Sequence, residues 1–324
     1  IKSNTVLFTV FVSVLLGCSK DDGTTTNTNT PTTASKPNIL LIIADDMGKD
    51  ATFGFPEGSI KPSTPNINSI KNSGITFNNN WVYPTCSPTR ASIITGKYGY
   101  RTGVKVVGDE LSASETILHQ YIKQQTNNAY NTAIVGKWHL SGNGNNVNPE
   151  SFGMDYYAGL IGGGVQSYTQ WQLSENGQQT TQTDYITEKF TDLAIDWVEA
   201  QNQPWFLWLA YNAPHTPFHV PPTEMHSQGN LPDYTNSMDA TPYYMAAIEA
   251  MDYQIGRLLN SMPEDERNNT VIIFVGDNGT PNQVAQSPYS NTTVKGSLYQ
   301  GGINTPLFVS GPNVTRIGVT DNNL

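Results

Sequence analysis

Five short runs of β-branched and large apolar residues constrain this 324-residue chain more than any other feature, and four of them lead into charged or amide side chains. They are NILLIIADD from residue 38, TAIVG at 132–136, PWFLWLAY at 204–211, TVIIFVG at 270–276 and TPLFVSG at 305–311. Runs without polar alternation belong to strands buried on both faces, as inside a parallel sheet. Between them, residues 112–125, 184–201 and 242–262 carry apolar positions at helical spacing. This alternation predicts an α/β fold with a largely parallel central sheet and helices on both faces.

In open sheets of this kind, ligands sit beyond the carboxyl ends of the strands. The first run ends in Asp45 and Asp46, and the second in Lys137 and His139. The third leads to His215, and the fourth to Asp277 and Asn278, with Gly279 allowing a tight turn. Asp45, Asp46, Asp277 and Asn278 offer only oxygen, which suits calcium or magnesium rather than zinc. Several oxygen ligands plus an anionic substrate favour Ca2+ on coordination number, with Mg2+ the second choice. Paired aspartates also cap helices and sit in turns, so Asp45 and Asp46 alone decide little.

The most specific segment is CSPTRASIITG, residues 86–96. Pro88 suits a first helical turn, Ser87 is a candidate cap and Gly96 is placed to end the helix. Cys86 is then expected just before a helix amino terminus, where backbone amides and the helix dipole favour negative charge.

Cys86, Pro88 and Arg90 form a Cys-x-Pro-x-Arg motif that continues through ASIITG, and here the chain resembles the type I sulfatase family of the alkaline phosphatase-like superfamily. YNTAIVGKWH at 130–139 is similar to the second family signature, although Ala129 stands where glycine is usual. The resemblance extends through the aspartate pair, APHTPFHVPP, the DNG turn and Lys295 before GGINTPLFV, spanning residues 37–312. It implies an alkaline phosphatase-like fold and hydrolysis of sulfate esters, on sulfated polysaccharides or oligosaccharides. It also implies that a formylglycine-generating or sulfatase-maturing enzyme oxidises Cys86 to formylglycine (3-oxoalanine), whose hydrate attacks sulfur and later re-forms the aldehyde.

By the same resemblance Asp45, Asp46, residue 86, Asp277 and Asn278 hold the metal. Arg90 orients residue 86, and His139 is the base that restores the aldehyde. Lys137 and Lys295 bind sulfate oxygens, and His215, with Lys295, protonates the departing alcohol. The family's small C-terminal antiparallel-sheet subdomain is expected to be missing or truncated here, and the chain, which begins with Ile1, is read as a fragment.

A net charge of -10 excludes a general affinity for nucleic acid, so any anion must be met by a local basic pocket. Residues 1–17 have the size of a signal peptide, and LLGC ending at Cys18 resembles a bacterial lipobox. Residues 18–37 then read as a lipidated cysteine and flexible polar tether, and 38–324 as the catalytic domain. The expectation is an exported protein anchored to envelope lipid through acylated Cys18, on the periplasmic or surface side of an outer membrane. A Cys18–Cys86 disulfide is disfavoured because each cysteine has its own local explanation.

His119 is read as a surface or packing residue, and His219 and His226 as possible liners of a substrate cleft. Tyr157, Tyr168 and Trp171 fall in a loop-rich stretch, 141–182, as either sugar-stacking or packing aromatics. Two alternatives stand beside the sulfatase reading. One is a phosphatase or phosphodiesterase of the same superfamily with a two-zinc site, against which Cys86 argues; the other is an inactive glycan-binding lipoprotein.

Overall fold

The computed structural model describes residues 36–323. The expected signal segment, Cys18 and the tether up to residue 35 lie outside the described residues.

Among the described residues ten strands form one sheet. They are β1 (Asn38–Ala44), β2 (Gly74–Phe77), β3 (Asn131–Lys137), β4 (Tyr156–Leu160), β5 (Trp171–Glu175), β6 (Gln178–Gln182), β7 (Trp205–Ala210), β8 (Thr270–Gly276), β9 (Leu307–Ser310) and β10 (Val319–Asp321). Their order is β10-β2-β9-β8-β1-β7-β3-β4-β5-β6. The central five, β8-β1-β7-β3-β4, are all parallel. Antiparallel pairs flank them: β9 on β8, β2 on β9, β5 on β4 and β6 on β5.

The parallel sheet therefore forms as expected, but its fifth member differs. TPLFVSG supplies β9, which runs antiparallel to β8. The chain leaves β8 at the functional rim and re-enters the sheet from that same end. The fifth parallel strand is β4, from the stretch read as loops. Its YYAGL sequence has no long aliphatic run, and its fit depends on Gly159, where a Cβ would lie 1.8 Å from the Gly136 carbonyl oxygen.

The principal helices are α1 (Pro65–Asn72), α2 (Cys86–Thr95), α3 (Gly99–Thr102), α4 (Leu118–Gln125), α5 (Ile186–Glu199) and α6 (Thr241–Ser261). Alternation along β1 divides the core: Leu40, Ile42 and Ala44 enter one cluster with Ile67, Phe190 and Tyr244 of α1, α5 and α6. Leu41 and Ile43 enter the other with Ala91 and Ile94 of α2, against which Leu118 and Ile122 of α4 pack. Helices thus cover both faces. Each fully buried Leu or Ile contributes about 1.5–3 kcal/mol relative to exposure.

The aromatics of the 141–182 stretch resolve as packing groups. Tyr157, Tyr168 and Trp171 are buried, and Trp171 meets Phe190 edge-on at 5.3 Å. His219 also packs, stacked on Tyr168 at 3.7 Å between ring centroids, with Nε2 3.0 Å from the Tyr185 hydroxyl.

His119 is fully buried in α4, with Nε2 3.2 Å from the Ala133 carbonyl oxygen and its ring tilted on Phe206. Burial pushes its pKa down to about 3 from the usual 6.5. Because the folded value lies below the unfolded one, its contribution is complete above pH 6.5 and is lost as pH falls toward 3. At pH 5.5 the loss from this one residue is about 1.4 kcal/mol. Denaturant unfolding of wild type and His119→Gln at pH 8 and 5.5 checks this: the variant is expected to lose correspondingly less on acidification, and parallel losses would remove His119 as the cause.

Candidate active site

In-register pairing of parallel strands levels their carboxyl ends. Ala44 pairs with Gly276, Ile43 with Ala210, and Ala210 with Gly136. The residues that follow, Asp45, Asp277 and Lys137, therefore emerge side by side. The backbone N–H of Asp277 donates to the Ala44 carbonyl, and that of Asp45 to Ala213.

Against this rim stands the amino end of α2. Cys86 is its first helical residue rather than the one before it, and Thr85 occupies the cap position without a side-chain bond. Ser87 is not the cap; it lies inside the helix with its hydroxyl buried and unpartnered. Gly96 closes the helix in the left-handed region, at φ 65°, as its position suggested. Residues four apart share a helix face, so Cys86 and Arg90 both point into the rim. The Cys86 Sγ lies 3.3 Å from Asp45 Oδ1 and 3.9 Å from Asp46 Oδ1.

Charges alternate around this thiol. Arg90, fully buried, places Nε 2.9 Å and Nη2 2.8 Å from Asp277 Oδ2, while its Nη1 donates to the Lys137 carbonyl at 2.8 Å. Lys137 Nζ is paired with Asp45 Oδ2. Lys295 Nζ lies 2.6 Å and His215 Nε2 3.7 Å from Asp46 Oδ2. Asn278 donates from Nδ2 to Asp46 Oδ1 at 2.7 Å. All the residues proposed from the strand ends and from the Cys86 motif are thus drawn to one centre; His139 enters it from the turn after β3.

Such burial would neutralise isolated charges. Burial alone would raise the Asp45 carboxyl, but Lys137, His215, Arg90 and Lys295 together hold it well below the usual carboxylate range. Asp277 is pushed upward by burial and by the Asp45 charge, with Arg90 opposing. Burial disfavours charge on Lys295, yet Asp46 and its neighbours raise its pKa, so it stays protonated. Burial and the adjacent Asp45 raise the Cys86 thiol, leaving it neutral. His139 is pushed down to about 2 by burial and by the Lys137 and Arg90 charges, so its imidazole is held neutral.

Two of these residues occupy the left-handed backbone region: Asp46 at φ 69° and His139 at φ 61°. Non-glycine residues there are strained by about 1–3 kcal/mol and gather at functional sites. Asp46 is held by three bonds at once: its N–H donates to Asp277 Oδ1 at 3.1 Å, its carboxylate accepts from Asn278, and its carbonyl accepts from the Tyr244 hydroxyl at 2.7 Å. The His139 ring lies on Gly163, where a Cβ would come within 2.2 Å of Nε2. The His215 loop is pinned by the Tyr168 hydroxyl, 2.6 Å from its carbonyl oxygen. Tyr244 and Gly163 were not among the residues read from the sequence, and Tyr168 was read only as a stacking or packing aromatic; a tyrosine on an apolar helix face or in a loop carries no local sign of such a bond.

The donor set fits an oxygen-seeking divalent cation. Asp45, Asp46, Cys86 and His215 present atoms all within 4.8 Å of one another. Among the described residues Asn278 Oδ1 is buried without a partner although its Nδ2 is engaged, which leaves a carbonyl oxygen beside Asp46 suited to a metal. Asp277, by contrast, already has one oxygen accepting from Asp46 and the other from Arg90. Carboxylate and amide oxygens select hard cations.

A protein-family model described as Sulfatase matches residues 37–322. The chain belongs to the sulfatase family. It is 31% identical to the uncharacterized sulfatase YdeN of Escherichia coli K12, over 86% of this chain and 59% of that protein. It is 25% identical to an arylsulfatase of Klebsiella aerogenes, covering 88% of this chain and 83% of the relative. The crystal structure of Ps i-CgsB in complex with k-i-k-neocarrahexaose superposes with a TM-score of 0.75 at 28% identity, over 89% of this chain and 68% of that one. The family and fold expected from the Cys86 motif and the strand pattern are both met.

Proposed function

We propose that this protein hydrolyses sulfate esters of carbohydrates, releasing inorganic sulfate, with residue 86 as formylglycine and a bound divalent cation, Ca2+ in preference to Mg2+. The observation that carries the reading is the placement of Cys86 3.3 Å from Asp45, among three carboxylates and three buried or half-buried cationic side chains. A hydrated formylglycine would supply an oxygen nucleophile there, and a cation held by Asp45, Asp46 and Asn278, with Asp277 behind them, would polarise the sulfate.

Lys137 and Lys295 flank the position of Cys86 and meet sulfate oxygens as negative charge builds. Arg90 spans Asp277 and the Lys137 carbonyl, which keeps the nucleophile's helix registered on the rim. Uncharged His139 accepts the proton that accompanies release of sulfate, and His215 donates one to the leaving alcohol oxygen. The sugar assignment is supported by the neocarrahexaose bound to the related Ps i-CgsB. The preceding LLGC sequence supports an exported, lipid-anchored protein acylated at Cys18; accumulation of precursor under globomycin tests that part.

The deciding assay compares aryl sulfate and aryl phosphate esters on protein co-expressed with a maturing enzyme. Sulfate turnover is expected to dominate, to vanish with a chelator and to return with calcium more fully than with magnesium. Dominant phosphatase activity restored by zinc would overturn the reading.

A further inference from the structure

Beside the acidic centre lies a cleft of about 480 Å³, within the usual range for small-molecule sites. Its location is set by the turn after β4. Gly163 in that turn carries the His139 ring, and the adjacent Gly164 lies beneath His215, 3.6 Å from a built Cβ to Cε1. Gly162 and Gly164 of the same turn line the cleft, so it adjoins the turn on which both histidines rest.

The opposite wall is one face of the β5–β6 hairpin. Side chains alternate along a strand: Trp171 and Leu173 belong to the core, Trp171 also contributing to the cleft lining, while Gln172 and Ser174 face the cleft. Across the ladder Gln172 pairs with Thr181 and Ser174 with Gln179, and these too line the cleft. The result is a ledge of four polar, uncharged side chains, with Gln172 Nε2 already donating to Thr181 Oγ1 at 2.7 Å. Gln166, Gln170 and Asn145 add amides, and Ile161 and Val165 add apolar surface. Among the described residues, no Lys, Arg, His, Asp or Glu lines the cleft.

We propose that this cleft is a subsite for uncharged sugar units next to the sulfated one, so that the preferred substrate carries no second sulfate or carboxylate there. The inference rests on the sulfatase reading and narrows its substrate class. Amides and hydroxyls both donate and accept, which matches sugar hydroxyls, and Ile161 and Val165 suit the C–H face of a pyranose. A sulfate or uronate in the cleft would lose hydration without meeting a counter-charge, on a protein whose net charge is -10.

The test uses the matured full chain, a chromogenic aryl sulfate and singly or multiply sulfated hexasaccharides from carrageenan, fucan and chondroitin sulfate. For the best singly sulfated hexasaccharide, the ratio of its kcat/KM to that on the aryl sulfate is expected to fall about tenfold in Gln172→Ala/Gln179→Ala, the loss of one or two hydrogen bonds. Gln178→Ala/Thr180→Ala, at exposed positions on the hairpin face turned away from the cleft, keeps the ratio and controls for folding. Gln179→Lys is expected to raise the relative rate on hexasaccharides sulfated on flanking units. An unchanged ratio in the cleft variant, or a wild-type preference for flanking sulfates, overturns the subsite while leaving the sulfatase reading intact. Absence of all sulfate-ester turnover would overturn the reading and the subsite with it.

Discussion

Cys86→Ala is expected to lower kcat/KM on any sulfate ester by about four to six orders of magnitude, the scale seen when a nucleophile is deleted. The fold should survive. Alanine is the best residue for a helical position, α2 is anchored by Ala91 and Ile94 in the core, and Sγ has only weak contacts with the two aspartates. Its removal also takes away a buried group that the neighbouring carboxylates disfavour as an anion. Activity with the aryl sulfate and a thermal melt, measured on the same preparation, separate the effects. Residual turnover above about one hundredth of wild type would show that residue 86 is not the nucleophile.

Arg90→Met should act mainly on stability, although it also ends turnover. Methionine keeps much of the volume, but Asp277 and Asp45 lose a counter-charge in a fully buried setting. Breaking a buried pair from one side costs about 3–5 kcal/mol. At about 2–4 °C per kcal/mol for a domain of this size, Tm should drop on the order of 6–20 °C. A divalent cation that binds only the native state stabilises both proteins by mass action, so the comparison is made in chelator. A variant melting within 2 °C of wild type in chelator would mean that Lys137 alone satisfies the aspartates.

The core of this arrangement was legible because parallel strands write their burial as unbroken apolar runs. NILLIIA, TVIIFVG and WFLWLA became β1, β8 and β7, and the polar residues after them met at one rim because registered strands end level. YYAGL escaped notice because it is short, lacks a β-branched run and contains Gly, which strands disfavour, and direction was misjudged for TPLFVSG because an apolar run does not record which end of the sheet the chain enters. The site's supports were harder still. Tyr244 bonds the Asp46 carbonyl across a separation of 198 residues, and nothing local to α6 announces it. Ser87 suited a cap by type, but the helix begins one residue earlier, at Cys86.

The left-handed backbone of Asp46 and His139 has a practical side. Glycine would adopt both conformations with less strain, but at Asp46 it would also strip the partner from Lys295 and Asn278. Directed evolution that rewards heat resistance alone weighs that backbone gain against the lost pairs and is blind to the proposed chemistry of either residue. A thermostabilisation campaign on this scaffold has to screen turnover alongside melting, or hold these two codons fixed from the first round.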